Sequence, residues 1–203
     1  MIIPLFCQGK AVERETSQAV GIGAKVIPTP DAASYFESGN RIFISEPDAT
    51  EIEYLGSVQS VAADSITATL ATEAAKGSGA KLWTPAALFE WPVGSESAAR
   101  RVRHTGVETV RSLGGNAWAT RLESPYEIEV VRFDNLTREK SEQLSAWFDN
   151  EAGGGLEEFT YVDAARAVWR VRLDAPTLEW SPTARGLIAG EFKLHLLGEA
   201  AYV

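Results

Sequence analysis

The chain has 203 residues, with 19 basic against 28 acidic side chains for a formal charge of −9, and 45% of its residues are hydrophobic. That balance excludes a disordered chain and predicts one or two globular domains with their own cores. One cysteine, Cys7, excludes an internal disulfide framework and a cysteine-based zinc site, and two histidines far apart in sequence, His104 and His195, leave little for a histidine-rich metal centre.

The stretch from Met1 to Cys7 places Leu5-Phe6 before a cysteine, as lipoprotein signals do. It lacks a basic leader and its apolar run is far too short. Cys7 therefore reads as a buried or free thiol, and synthesis and assembly as cytoplasmic. Further on, Gly21 to Val26 reads as a strand stopped by Pro28 and Pro30. Ala32 to Glu37 reads as one helical turn, Ser38-Gly39-Asn40 as a turn, and Arg41 to Ile44 as a short strand. Ile52, Tyr54, Val58 and Val61 mark another strand. After a turn at Ala62 to Ser65, Ile66, Ala68 and Leu70 alternate with Thr67, Thr69 and Ala71 as a half-buried strand does.

The middle of the chain keeps the period of two. Val102 and Val107 to Val110 flank Gly106, Gly114-Gly115-Asn116 is a turn signal, and Trp118, Thr120 and Leu122 alternate with polar or small residues. Ser124-Pro125 breaks the run before Ile128, Val130 and Arg132. One helix is predicted over about 137–152. Thr137 caps it, Glu139 sits in its first turn, Leu144, Trp147 and Phe148 share one face, and Gly153-Gly154-Gly155 ends it. Strands then resume with Phe159 and Tyr161. Ala167, Trp169, Val171 and Leu173 take one face and Arg166, Arg170 and Arg172 the other. Asp174 to Pro176 breaks that strand, Ser181-Pro182 follows Trp180, and Phe192, Leu194 and Leu196 close the pattern. The predicted fold is mainly β, as antiparallel β-sandwich or barrel lobes with one helix packed on the C-terminal sheet. A linker near Trp91 to Ser97 divides it into a small β-rich lobe, 1–92, and a second domain, 93–203.

Catalytic signatures are missing. Gly21-Ile22-Gly23 is not followed by the rest of a dinucleotide fingerprint, and the triglycine is followed by Leu156-Glu157-Glu158 rather than a phosphate-loop lysine. There is no nucleophile elbow and no calcium loop. Cys7 has no histidine near it in sequence, leaving only a spatial pairing with His104 or His195. Glu127 with Glu129, and Glu157 with Glu158, are carboxylate pairs of the kind a glycosidase needs, but 28 acids make chance pairs common and solvated strand faces the simpler reading. Six tryptophans, Trp83, Trp91, Trp118, Trp147, Trp169 and Trp180, fill a core or an interface more readily than they present stacking surfaces for sugars. No catalytic, cofactor-binding or metal-binding residue is assigned. The residues singled out are Arg100, Arg101 and Arg103 with His104 and Arg111, a basic cluster in an acidic chain, and the basic stripe Arg166, Arg170 and Arg172. For the first, a face that meets an acidic neighbouring subunit or is merely solvated explains it better than phosphate contact, because no aromatic residue is interleaved; the second can pair with Glu residues on neighbouring strands, worth little per exposed pair.

The last ninety or so residues resemble the tail proteins of long-tailed bacteriophages, the distal tail proteins and the related tail-tube fold. The resemblance rests on an ordered pattern. A strand from Tyr126 to Phe133 leads into the helix with Leu144, Trp147 and Phe148. The glycine break precedes Phe159 to Asp163, and Val168 to Leu173, Trp180, Gly186 and Gly190 to Leu196 follow. The first half looks like the small β lobes attached to such proteins. The resemblance implies a non-enzymatic virion protein of the tail tip, assembled in the host bacterial cytoplasm. Its copies would form a ring, hexameric in that family, which joins the tail tube to the hub or baseplate and lets DNA pass. Partners would be tail-tube, hub and other tail-tip proteins, with no cofactor and no membrane insertion. Interface residues on this reading are Arg100, Arg101, Arg103, Arg166, Arg170, Arg172 and Tyr161. The alternatives are a carbohydrate- or receptor-binding β module and, less favoured, a two-carboxylate glycoside hydrolase.

Overall fold

The strand-period alternation of the sequence is realised as a mainly β protein with antiparallel sheets and one helix longer than a turn or so. The computed structural model describes residues 2–7, 10–86, 88–92, 100–104, 107–111, 117–121, 126–155, 157–163, 165–174, 179–183 and 187–199. Of these, residues 2–7, 88–92, 107–111, 117–121, 133–135, 155, 179–180, 192 and 199 are described as backbone. The turn expected at Gly114-Gly115-Asn116, the breaks at Ser124-Pro125 and Pro176, most of the linker expected between Trp91 and Ser97, and Gly186 lie outside the described residues.

The chain divides into two units, the first holding 1–92, 158–170 and 198–203, the second 93–157 and 171–197. One division falls where the linker is expected, after Pro92. Residues 158–170, expected with the second domain, cluster with the first.

The first unit begins with β1 (Ile2–Cys7) and β2 (Lys10–Glu15), followed by β3 (Val26–Pro28), the short helix α1 (Ala32–Tyr35) and β4 (Arg41–Ser45). Next come β5 (Glu53–Ala62), β6 (Ser65–Ala68), β7 (Lys81–Pro85) and β8 (Leu88–Pro92). Six of these form one sheet in the order β2-β7-β4-β5-β6-β3. β5 pairs with β4 through its first half and β6 through its second. Gly56, at φ 76°, lies at the change of partner. A Cβ there would collide with the Thr69 hydroxyl, so only glycine fits. The sheet encloses its own core, in which Ile27, Ile42, Ile44, Leu55, Ile66 and Leu82 are fully buried.

The segment expected as a strand at Gly21 to Val26 is mostly a turn. Ala24 N–H donates to the Gly21 carbonyl at 3.2 Å, with Gly23 at φ 79°. Thr72 fixes it from a distant part of the chain: its hydroxyl donates to the Gly21 carbonyl at 2.7 Å and accepts from Ala24 N–H at 3.0 Å. β3 therefore begins only at Val26.

The second unit begins with β9 (Arg100–His104), the separate hairpin β10 (Val107–Arg111) and β11 (Ala117–Arg121), and the long strand β12 (Tyr126–Leu136). The helix α2 (Arg138–Asn150) follows. The hydroxyl of Thr137 accepts from Lys140 N–H at 3.2 Å, satisfying one of the first-turn donors. Leu144, Trp147 and Phe148 are buried as their spacing requires. α2 stops at Asn150, where Glu151 N–H still donates to the Trp147 carbonyl, and the glycines follow as a separate short 3-10 turn, Gly153–Gly155, with Gly153 and Gly154 at φ 56° and 68°. β13 (Phe159–Val162) belongs to the first unit and pairs with β1, with Leu5 opposite Tyr161 and Cys7 opposite Phe159. That pairing explains why this late segment returns to the N-terminal part of the chain. β14 (Val168–Leu173), β15 (Glu179–Pro182) and β16 (Ile188–Glu199) complete the fold. In the second unit β12 pairs with β16 on one side and with β9 on the other, so that β9 ends the strand order.

Candidate functional site

The most elaborate polar arrangement among the described residues lies in the first unit, around the turn between β13 and β14. Asp163 organises that turn. Its Oδ1 accepts from Ala165 N–H at 2.8 Å and Ala167 N–H at 2.9 Å, and its Oδ2 accepts from Trp169 Nε1 at 2.9 Å. The backbone closes on itself as Arg166 N–H donates to the Asp163 carbonyl, leaving Arg166 at φ 69°. A left-handed arginine is unfavourable on its own and persists only where the surroundings over-determine it.

Here the guanidinium does so. Nη1 donates to Glu73 Oε1 at 2.7 Å, and Nη2 lies 3.0 Å from Glu53 Oε1. Nη2 also reaches the carbonyls of Tyr54 at 2.8 Å and Ala71 at 3.0 Å, with Nε 3.3 Å from the Tyr54 carbonyl. A planar fork with fixed donor directions suits such a set better than an ammonium would. Glu53, on β5, is only 7% exposed, and its Oε1 accepts in addition from Glu73 N–H. Its Oε2 is buried and has no hydrogen-bond partner among the described residues.

Beside this cluster, Lys76 is buried and its Nζ donates to the Glu51 carbonyl at 2.8 Å, with Glu51 Oε2 at 3.5 Å. Glu51 is itself left-handed, at φ 49°. Together these residues line an open cleft of about 300 Å³ that carries three carboxylates against two cations. Beneath the clasp, Phe43, Tyr54 and Trp83 pack with Val162 and Val168. Phe43 stacks on Trp83 at 4.6 Å between ring centres. Burial raises the Tyr54 hydroxyl above its ordinary value, against the opposing pull of Arg41 and Arg166, so the phenol stays neutral.

In the second unit the basic cluster lies on β9, the terminal strand of its order. Arg100, Arg101, Arg103 and His104 are all exposed. Arg101 Nε pairs with the buried Glu129 Oε2 at 3.0 Å. Arg100 and Arg103 have no ion-pair partner among the described residues. Arg111 is on β10, where only the backbone is described.

The second basic group is not one stripe. Arg166 precedes β14, because the Asp163 turn occupies the positions that simple alternation assigns to the strand. Arg170 is half-buried and pairs with Glu158 Oε2 at 3.2 Å, and Arg172 is exposed. Tyr161 is fully buried in this chain and thus is not on a free surface. Of the carboxylate pairs, Glu129 pairs with Arg101 and Glu158 with Arg170, while Glu157 is exposed. The two histidines approach each other without converging. His104 stacks on Tyr126 at 4.9 Å and His195 packs on the same ring at 4.8 Å, so a phenol separates them. The Cys7 side chain lies outside the described residues, as do those of Trp91, Trp118 and Trp180. Trp83 and Trp147 are buried and Trp169 is half-buried.

Sequence reasoning passed over Glu51, Glu53, Glu73 and Lys76. Glu53 carried the one available signal, a carboxylate beside the apolar residues of a strand. Among the described residues, no three or more His, Cys, Asp or Glu side chains are grouped to hold a metal ion, and no helix is long and apolar enough to cross a membrane. No protein-family model matches the chain, and no curated protein matches it.

Proposed function

We propose that this chain is a structural, non-enzymatic protein of the tail tip of a long-tailed bacteriophage, a distal tail protein. On this reading its copies form a ring that joins the tail tube to the hub or baseplate and lets DNA pass. The observation that carries the reading is the order of elements from Tyr126 onward. A long strand leads directly into a capped helix, a glycine turn, and then strands at 159–162, 168–173, 179–182 and 188–199. The order is that of the resemblance, with the short strand at 179–182 added to it. A basic terminal strand on an acidic molecule also suits association between copies, since an unpaired strand edge invites a partner. The overall charge of −9 favours a conduit that does not retain DNA over a surface that binds it. Of the tryptophans with described side chains, Trp83 and Trp147 are buried and Trp169 is half-buried, which weakens the sugar-binding alternative.

The test combines light-scattering mass with negative-stain imaging of the full chain, alone and with tail-tube and hub proteins. The expected outcome is a ring, formed alone or on addition of those partners. A strict monomer that joins no tail protein and binds glycans instead would overturn the reading.

A further inference from the structure

Strand pairing in the second unit gathers residues that lie far apart along the chain. Arg100 lies opposite Val130, Val102 opposite Ile128 and His104 opposite Tyr126. On the other side of β12, Val130 lies opposite Lys193 and Ile128 opposite His195. Residues directly opposite share a face, so Arg100, His104, Tyr126, Lys193 and His195 stand on one face of the sheet. The two imidazoles hold the Tyr126 ring between them. His104 lies within 6° of parallel to it at 4.9 Å, and His195 is tilted by 41° at 4.8 Å. His104 is exposed, and among the described residues no strand pairs with β9 on the side away from Tyr126, so the outer face of this imidazole is open. The exposed charges on this face are largely cationic. Arg100 and Lys193 are exposed with no ion-pair partner among the described residues, and Glu191, the acid on the same face of β16, is paired with Arg132. Arg103, beside His104 on β9, is also exposed and has no ion-pair partner among the described residues.

We propose that the β9 edge of the second unit binds single-stranded nucleic acid, with a base stacked on the outer face of His104 and the adjoining phosphates on Arg100 and Arg103. Cations beside an open aromatic ring are what such a strand requires of a protein surface. The basic cluster has no aromatic residue interleaved in sequence, but β12 and β16 supply one in the fold, where Tyr126 and His195 back the His104 ring. An acidic protein would satisfy the arginines and leave the imidazole face without a stacking partner, whereas a nucleic acid supplies both. A single strand can splay a base onto that ring, while a duplex keeps its bases stacked on one another. In a chain of net charge −9 a polyanion is attracted only where cations gather, so the contact is local and easily broken by salt. This goes beyond the ring reading and does not depend on it.

The test is fluorescence anisotropy of a labelled oligodeoxythymidine with the full-length chain at low salt, with far-UV circular dichroism to verify folding. Raising the salt tenfold is expected to weaken binding by roughly 25-fold, the effect of two neutralised phosphates on a single strand. His104→Ala, a change at an exposed position, is expected to weaken it by about fivefold or more, and His104→Phe, which keeps a ring to stack on, to stay near the parent. Arg100→Glu with Arg103→Glu is expected to cost about tenfold or more. Lys25→Glu with Arg138→Glu makes the same change in net charge at exposed positions outside β9 and is expected to leave most of the binding intact. A duplex of the same length is expected to bind more weakly than the single strand. Absence of binding at low salt would overturn the proposal. So would a phenylalanine variant as weak as the alanine one, a control pair as damaging as the β9 pair, or a duplex bound as tightly as the single strand. None of these outcomes bears on whether copies of the chain form a ring, which the mass and imaging measurements decide separately.

Discussion

Arg166 joins two facts that are each unfavourable alone: a left-handed backbone at a residue with a Cβ, and a carboxylate, Glu53, almost wholly removed from water. Each is tolerable because of the other. The Asp163 turn aims the guanidinium, and the guanidinium pairs with Glu53 and satisfies the carbonyls of Tyr54 and Ala71. Removing one partner of such a pair is far more damaging than the pair is stabilising, since the remaining charge stays buried. Arg166→Met is therefore expected to lower the unfolding free energy by about 3 kcal/mol in a urea titration. Arg166→Lys, which keeps the charge but loses the fork, should fall between the two. Equal stability of all three proteins would refute the role given to the guanidinium. None of this was legible from the sequence. Alternation put Arg166 on one strand face with Arg170 and Arg172, and nothing in the residue names marks an arginine as left-handed. The constraint comes from Glu53, Tyr54, Ala71 and Glu73, far away along the chain.

The elements that could be read in advance are those whose causes are local. α2 is the clearest. Its cap and its apolar face lie within a dozen residues and are found at the expected positions, while the helix stops at Asn150, a few residues before the glycines expected to end it. Thr137 can be tested in isolation because it is exposed and its hydroxyl serves one first-turn donor. Thr137→Ala should destabilise by about 1 kcal/mol, while Thr137→Ser and Thr137→Asp, which retain an accepting oxygen, should stay near the parent. A loss equally large in the serine variant would point to the methyl group's packing instead of the cap. The turn at Gly21 to Lys25 shows the opposite case. Its alternation of glycine with larger residues fits a strand, but its conformation is decided by the backbone and hydroxyl of Thr72, which propensity cannot see. The short strands β1, β2, β7 and β8 have no such local signal, since their pairing partners lie elsewhere in the sequence.

At the scale of the molecule, the two units part after Pro92, and the return of residues 158–170 to the first unit goes with the pairing of β1 with β13. The six-stranded sheet holds a core whose buried residues run from Val20 to Leu82, with Val12 packed against them. Its other apolar cluster, around Phe43, Tyr54 and Trp83, is completed only by Val162 and Val168. A fragment spanning residues 10–86 should accordingly fold with a cooperative transition, yet bind a hydrophobic dye that the full chain does not. Two fully buried valines contribute about 3–6 kcal/mol together, so the fragment should also be less stable than the parent. The fragment loses Arg166 too, leaving Glu53 without its cation. Glu53→Gln then becomes diagnostic through its sign. In the full chain it breaks the pairing with Arg166 and should lower stability, whereas in the fragment it removes an uncompensated buried charge and should raise it. Chemical denaturation of the four proteins reads both effects. The same sign in both contexts would mean that Arg166 is not what makes Glu53 tolerable in this fold.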